Sequence, residues 1–289
     1  ETTPPLFAAD TPIIDYQNPQ LPDYGRIGMV VSPEKLAGEI GLDMLKQGGN
    51  AIDAAVATGF ALAVTLPRAG NLGGGGFMLV HLAESDEQIF IDYRETAPAG
   101  ASRDMFLNAD GTVNKAKAYF SRQAAGVPGT VAGLIHAQTQ YGKLPLATVI
   151  QPAIDLAEQG FDTPLALHMS LTSRAERLAK DPEAKRIYLQ GTANAPAPGA
   201  LFKQPDLART LQRIRDKGRD GFYTGETAAL IAADMAANDG LITADDLAGY
   251  RTLERSPVRG TFNEFEIVSV APPSSGGIHI LQMLNLLEP

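Results

Sequence analysis

The stretch IDYRETAPA, residues 91–99, sets one guanidinium, that of Arg94, between Asp92 and Glu95 at the end of an apolar-polar alternation that begins at Ile89. An arginine at a strand end is held more rigidly than one on a loop, and its planar fork of donors matches a carboxylate in a bidentate way. Two readings follow from these residues: Arg94 grips an anionic ligand group, or it pairs with Asp92, Glu95 or Asp104 and ties a turn to the body. The run Gly73 to Gly76 could bare amides to a ligand, but a dinucleotide fingerprint needs a strand before it and a helix after it, and here a strand follows. Close approach of two backbones is the other use of such a run. His81, His136, His168 and His279 stand far apart, with no spacing that puts two on one helix face, so no metal site is expected. Ser274 and Ser275 precede a helix and read as caps; there is no G-x-S-x-G elbow to make either a nucleophile. The chain has no cysteine, which excludes thiol catalysis, disulfides and Cys-ligated metals. The residues thus offer one anion-binding arginine, no catalytic set of their own and no cofactor site.

The elements that must position Arg94 can be read from periodicity and caps. Gly28 to Val31 predicts a short buried strand, followed by Ser32 as N-cap and a helix from Pro33 to Lys46 that Gly48-Gly49 ends. Asn50 and Asp53 form a capping-box pattern ahead of a helix over Ala51 to Val64 that is apolar on nearly every face, as a helix between layers is. Phe77 to Leu82 and Gln88 to Arg94 predict a strand pair across the polar loop AESDE. Helical patterns cover Leu146 to Gln159, Leu165 to Ala179, Asp206 to Lys217 and Glu226 to Asn238, and Thr243 caps a short helix through Leu247. Residues 189–202 read as a surface loop, Phe265 to Val270 returns as a strand, and a helix begins near Gly277. The class is mixed α and β, with strands toward the two ends and helices between.

The 289 residues, 44% of them hydrophobic, suffice for a sizeable core in one large domain. With 24 basic against 33 acidic residues, a net charge of -9 and no basic cluster with interleaved aromatics, nucleic acid and anionic membranes are poor partners. The longest apolar stretch, Ala54 to Leu66, is broken by Thr58 and Gly59 and falls short of the roughly 18 residues that span a bilayer, so a soluble protein is expected. The Pro-rich start, without Met, reads as an extended arm over residues 1–27 left by a processing cut, which a removed secretory signal would explain. The last helix meets Pro289 with little beyond it, as if the chain stopped in mid-domain.

Six blocks in order carry a resemblance: GGNAIDAAVA (48–57), AGNLGGGGFMLV (69–80), IDYRETAPAGASRDMFL (91–107), GVPGTVAGL (126–134), LITADDLAGY (241–250) and APPSSGGIHILQMLNLLE (271–288). They are similar to the large subunit of bacterial γ-glutamyltransferases, members of the N-terminal-nucleophile hydrolases. The resemblance implies an α+β fold, an αββα sandwich of two central sheets between helical layers, in which residues 28–289 supply the large-subunit part of one domain that a second chain completes. It further implies a precursor that cuts itself before a Thr, with that N-terminal Thr of the small subunit as nucleophile and its α-amine as base. By resemblance, glutathione or a similar γ-glutamyl compound is the substrate, water, an amino acid or a peptide resolves the acyl-enzyme, and no metal or organic cofactor is used. Arg94 matches the family's arginine that grips the α-carboxylate of the γ-glutamyl group; no catalytic residue is assigned to this chain, and Glu95 is expected to orient neighbours. The implied location is periplasmic or secreted.

Three rival readings stay open. Some family members are acylases that release glutaryl side chains from cephalosporins; Arg94 tilts toward the transferase but can serve another carboxylate. A processing-dead homologue acting as a binding protein is a second. A periplasmic solute-binding module fits acidity and solubility but not the ordered blocks.

Overall fold

Caps decide where the first two helices begin. In the computed structural model, which describes residues 22–288, helix α1 (Lys35–Lys46) starts after Glu34, whose carboxylate accepts from the amides of Leu36 and Ala37. The cap therefore lies two residues beyond the Ser32 expected from sequence; Ser32 instead accepts from the Glu34 amide. Helix α2 (Ala51–Thr65) begins with the anticipated capping box of Asn50 and Asp53. Ahead of both, residues 28–31 form no strand, because they find no ladder partner among the described residues, and Val31 lies open to solvent. Most of the predicted arm, residues 1–21, lies outside the described residues.

Strands β1 (Phe77–Leu82) and β2 (Glu87–Asp92) pair antiparallel, Phe77 opposite Asp92 and Leu82 opposite Glu87. The middle of the chain is helical: α3 (Lys115–Phe120), α4 (Thr130–Tyr141) and α5 (Leu146–Gln159) precede the short strand β3 (Phe161–Asp162). Next come α6 (Leu165–Thr172), α7 (Ala175–Leu178) and α8 (Pro182–Tyr188), then β4 (Leu201–Phe202), which pairs with β3. The single helix expected over 165–179 is thus two. The Ser173 hydroxyl donates to the Ser170 carbonyl and the Arg174 amide to Leu171, a tighter turn that competes with continued α-helix. Helices α9 (Pro205–Lys217), α10 (Asp220–Tyr223), α11 (Gly225–Ala237) and α12 (Ala244–Gly249) lead to β5 (Leu253–Arg255), β6 (Val258–Phe262), β7 (Phe265–Ser269) and α13 (Gly276–Leu287).

The core forms around α2. Its residues Val56, Ala57, Phe60, Ala61 and Val64 are fully or almost fully buried, and α1, α4 and α5 close over it. On the far side of α5, Val149, Ile150 and Ile154 join Leu211 and Ile214 of α9 in the same buried cluster. Strand β5 adds itself to the free edge of β2, giving a three-stranded sheet in the order β1-β2-β5, and β6 with β7 makes a separate hairpin under α13. The fold class is α+β. No helix among the described residues is long and apolar enough to cross a membrane.

Candidate functional site

Strand β2 ends at Asp92, two residues short of the Arg94 terminus expected from the alternation. The ladder persists for one more pair, since Tyr93 and Gly76 exchange backbone hydrogen bonds of 3.1 and 3.3 Å. The chain then turns away, and Thr96 makes an antiparallel bridge with Val127. Arg94 and Glu95 sit in the gap between these two pairings, both exposed.

Side chains take over where the ladder stops. The Arg94 amide donates to Asp92 Oδ1 at 3.1 Å, and the Arg94 carbonyl accepts from the Tyr250 hydroxyl at 2.8 Å. Asp92 is itself buried and ion-paired with Arg255 Nε at 2.7 Å, across the β2-β5 pairing. Asp104 faces Arg103. Of the turn-tying partners considered for Arg94, none holds its guanidinium: among the described residues no carboxylate lies within 4.0 Å of it, and the Phe77 ring centroid lies 6.0 Å from its Cζ. That separation is at the outer limit of a cation–π contact. The guanidinium remains available to an outside anion.

The glycines around this turn make room for it. A β-carbon on Gly75 would lie 2.6 Å from the Tyr93 carbonyl oxygen and 2.8 Å from the Glu95 carboxylate, and one on Gly76 would meet the Tyr93 ring at 2.8 Å. Gly129, just before α4, would overlap the Tyr93 carbonyl oxygen and the Tyr250 hydroxyl, and its amide donates to Gly74 at 2.7 Å. Of the two uses of the Gly73 to Gly76 run, close backbone approach is the one seen at Gly75, while Gly76 leaves room for the Tyr93 ring.

Two clefts adjoin at Glu95. The smaller, about 390 Å³, is lined by Arg94, Pro98, Met105, Phe106 and Gln123, and the larger, about 910 Å³, by Gly73, Gly74, Tyr188, Lys203 and Asp206, with Glu95 in both. Size favours the second and chemistry the first. We place the candidate site at the first, because it contains the unpaired guanidinium.

Tyr250 is buried, and burial pushes its phenol up, with Tyr223, Asp92 and Glu95 adding to the rise; at neutral pH it therefore stays a hydrogen-bond donor. Its ring stacks on that of Tyr223 at 5.7 Å and 9°, and its carbonyl accepts from Arg219 Nη2 at 2.7 Å. The sequence reading missed Tyr250 and the part played by Asp92. LITADDLAGY marks the end of a capped helix, but nothing local in it points to a residue 156 positions earlier.

The remaining residues singled out from sequence do not gather here. His136 Nε2 lies 2.7 Å from Glu254 Oε1, which the Tyr141 hydroxyl also contacts at 2.6 Å; burial and this carboxylate push the Tyr141 phenol up to about 12. His168 contacts the Pro196 carbonyl, and His81 faces Gln88. Among the described residues no group of three His, Cys, Asp or Glu side chains could hold a metal ion. Ser274 Oγ accepts from the Gly276 amide at 3.3 Å, a weak cap for α13, whose formal cap Ser275 makes no side-chain bond.

The family model Gamma-glutamyltranspeptidase matches residues 37–289. The chain is 46% identical over 261 residues to the glutathione hydrolase proenzyme of Escherichia coli (strain K12), covering 90% of this chain and 45% of that one. It is 40% identical over 282 residues to an acylase ACY 1 proenzyme of Pseudomonas sp. (strain SE83), covering 96% of this chain and 50% of that one. Among solved structures, Helicobacter pylori gamma-glutamyltranspeptidase superposes with a TM-score of 0.90 at 44% identity, over 93% of this chain and 76% of that one. The chain spans about half the length of the curated relatives it matches. A family model covering most of the chain, and relatives at this identity along nearly its whole length, show that the chain belongs to the gamma-glutamyltranspeptidase family.

Proposed function

We propose that this chain is the first part of the large subunit of a γ-glutamyltransferase that cleaves the γ-glutamyl amide of glutathione and related compounds. The acyl group passes to the hydroxyl of an N-terminal threonine on a second chain cut from the same precursor. The amine of that threonine takes the hydroxyl proton, the amide nitrogen leaves protonated, and water, an amino acid or a peptide then resolves the ester. Residues 28–289 contribute to a single αββα domain that the second chain completes. The chemistry draws on no metal or organic cofactor, and the enzyme works in the periplasm or outside the cell.

One observation carries the reading. Arg94 has a backbone held on both sides and a guanidinium without a carboxylate partner among the described residues. A γ-glutamyl group brings an α-carboxylate, which accepts two parallel N–H···O bonds from such a fork and is thereby placed for attack. Charge-assisted hydrogen bonds contribute roughly 1.5 to 3 kcal/mol, so Arg94→Ala should raise KM for a γ-glutamyl anilide about 10- to 100-fold in the processed enzyme. An unchanged KM in a folded variant would remove the assigned role.

The acylase relative favours a second reading, release of glutaryl side chains. Arg94 does not separate the two, because a glutaryl group keeps the terminal carboxylate and lacks only the α-amine. Comparison of kcat/KM for a γ-glutamyl and a glutaryl anilide does.

A further inference from the structure

Arg94 lies where backbone pairing is interrupted, and both of its peptide groups are taken up by side chains, one from Asp92 two residues earlier and one from Tyr250 at the end of α12. Before it, Tyr93 and Gly76 exchange hydrogen bonds; after it, Thr96 and Val127 do so at 3.3 and 2.8 Å. Inside the gap, Asp92 Oδ1 accepts from the Arg94 amide and the Tyr250 hydroxyl donates to the Arg94 carbonyl.

The bond from Tyr250 is not required to satisfy that carbonyl. Arg94 is exposed, so water could do the same, and the net contribution of such a bond to folding is small. What water cannot do is fix a position. The phenol can, because nothing about Tyr250 is free to move: its ring is stacked on Tyr223, its own carbonyl is held by Arg219, and only 4% of its surface is exposed. Tyr223 is anchored in turn, its hydroxyl donating to the Pro128 carbonyl at 2.8 Å and accepting from the Ala132 amide at 3.2 Å, at the start of α4. The missing β-carbon of Gly129 leaves the space in which the Tyr250 hydroxyl reaches the turn. A rigid column from the helical layer thus ends on the peptide group that carries the recognition arginine.

We propose that Tyr250 is a positioning residue for the substrate carboxylate, acting through the Arg94 carbonyl to hold the guanidinium where the acyl group must lie. The inference rests on the role proposed above for Arg94. A displaced guanidinium weakens ground state and transition state alike, so the loss should fall on KM rather than kcat.

The test is a double-mutant cycle in the processed, full-length enzyme, with a γ-glutamyl anilide as donor. Tyr250→Phe keeps the ring and its stacking and removes only the hydroxyl. It should raise donor KM about fivefold with kcat within about twofold, and the same change made in an Arg94→Ala background should add nothing further. An unchanged KM for Tyr250→Phe, beside a raised KM for Arg94→Ala, would overturn the inference and leave Arg94 standing. The same fivefold penalty in both backgrounds would also overturn it, because the hydroxyl would then act on the fold and not on Arg94. If Arg94→Ala itself leaves KM unchanged, the underlying reading of Arg94 fails, and this inference with it. A Tyr250→Phe variant that does not yield processed enzyme would overturn it as well, because the hydroxyl would then serve folding or maturation and not the donor carboxylate.

Discussion

Asp53 accepts more hydrogen bonds than a helix cap calls for. Besides the Asn50 amide of the capping box, its buried carboxylate takes the Gln138 side chain at 2.6 Å and the amides of Lys143 and Leu144, joining the start of α2 to the turn between α4 and α5. Burial by itself would raise its pKa, but the donors around it outweigh that and hold the carboxyl below the usual carboxylate value of 3.8. A group whose folded pKa is depressed stabilises the fold above its unfolded pKa, and the benefit disappears as pH falls through the folded value. Asp53→Asn replaces an acceptor oxygen by an amide NH2 donor facing other donors and should cost about 2 kcal/mol at pH 7. In thermal melts the gap to the unmodified protein should close as pH drops below about 4; a gap constant from pH 7 to 3 would contradict the assignment. The local half of this arrangement was legible, since Asn50 and Asp53 stand at capping-box spacing. The other half was not, because Gln138 and Leu144 lie 85 and 91 residues away and carry no mark of their partner. Arg94 shows the same division: its residue type and motif pointed to a carboxylate, and Asp92 stands two residues away, while the support from Tyr250 comes from 156 positions on.

At the scale of elements, legibility followed periodicity and burial. Helices α2, α5, α9 and α11 were readable from apolar spacing, helped by the capping box of α2 and by the prolines at the starts of α5 and α9. Helix α4 was not: it starts after Gly129 with no side-chain cap. Strand β5 is short and wholly exposed, so no alternation announces it, and it exists only as an addition to the edge of β2; β6 alternates half-buried and exposed residues, but Gly260 at its middle inner position hides the pattern. The missing cap of α4 has a reason. Residue 129 must come against the Tyr93 carbonyl and the Tyr250 hydroxyl, where Ser, Asp or Asn would collide. Gly129→Ala sets a methyl against backbone and should displace the Tyr93 to Thr96 turn, lowering the melting temperature by several degrees and raising donor KM together. A variant with native melting temperature and native KM would show that the packing is looser than described.

At the scale of the whole molecule, an apolar face stands open beside α13. Helix α13 covers the β6-β7 hairpin with one face, yet Met283, Leu286 and Leu287 are 55%, 85% and 73% exposed, and Phe265 of β7 is 62% exposed. Exposed apolar surface of that kind marks a contact, and the relatives run to about twice this length. Expression of the full precursor should therefore give two polypeptides that copurify through gel filtration, the smaller beginning with Thr by N-terminal sequencing. A single uncut chain would leave the proposed chemistry without its nucleophile.

The turn at Arg94 has a further consequence for how this scaffold changes over generations. Its backbone is kept in place by Asp92 and Tyr250, while its own side chain is not ion-paired to any described part of the fold. On the role proposed for Arg94, replacing that side chain would alter which acids are admitted at little expense in stability, and a lineage could acquire a different appetite without first rebuilding its core.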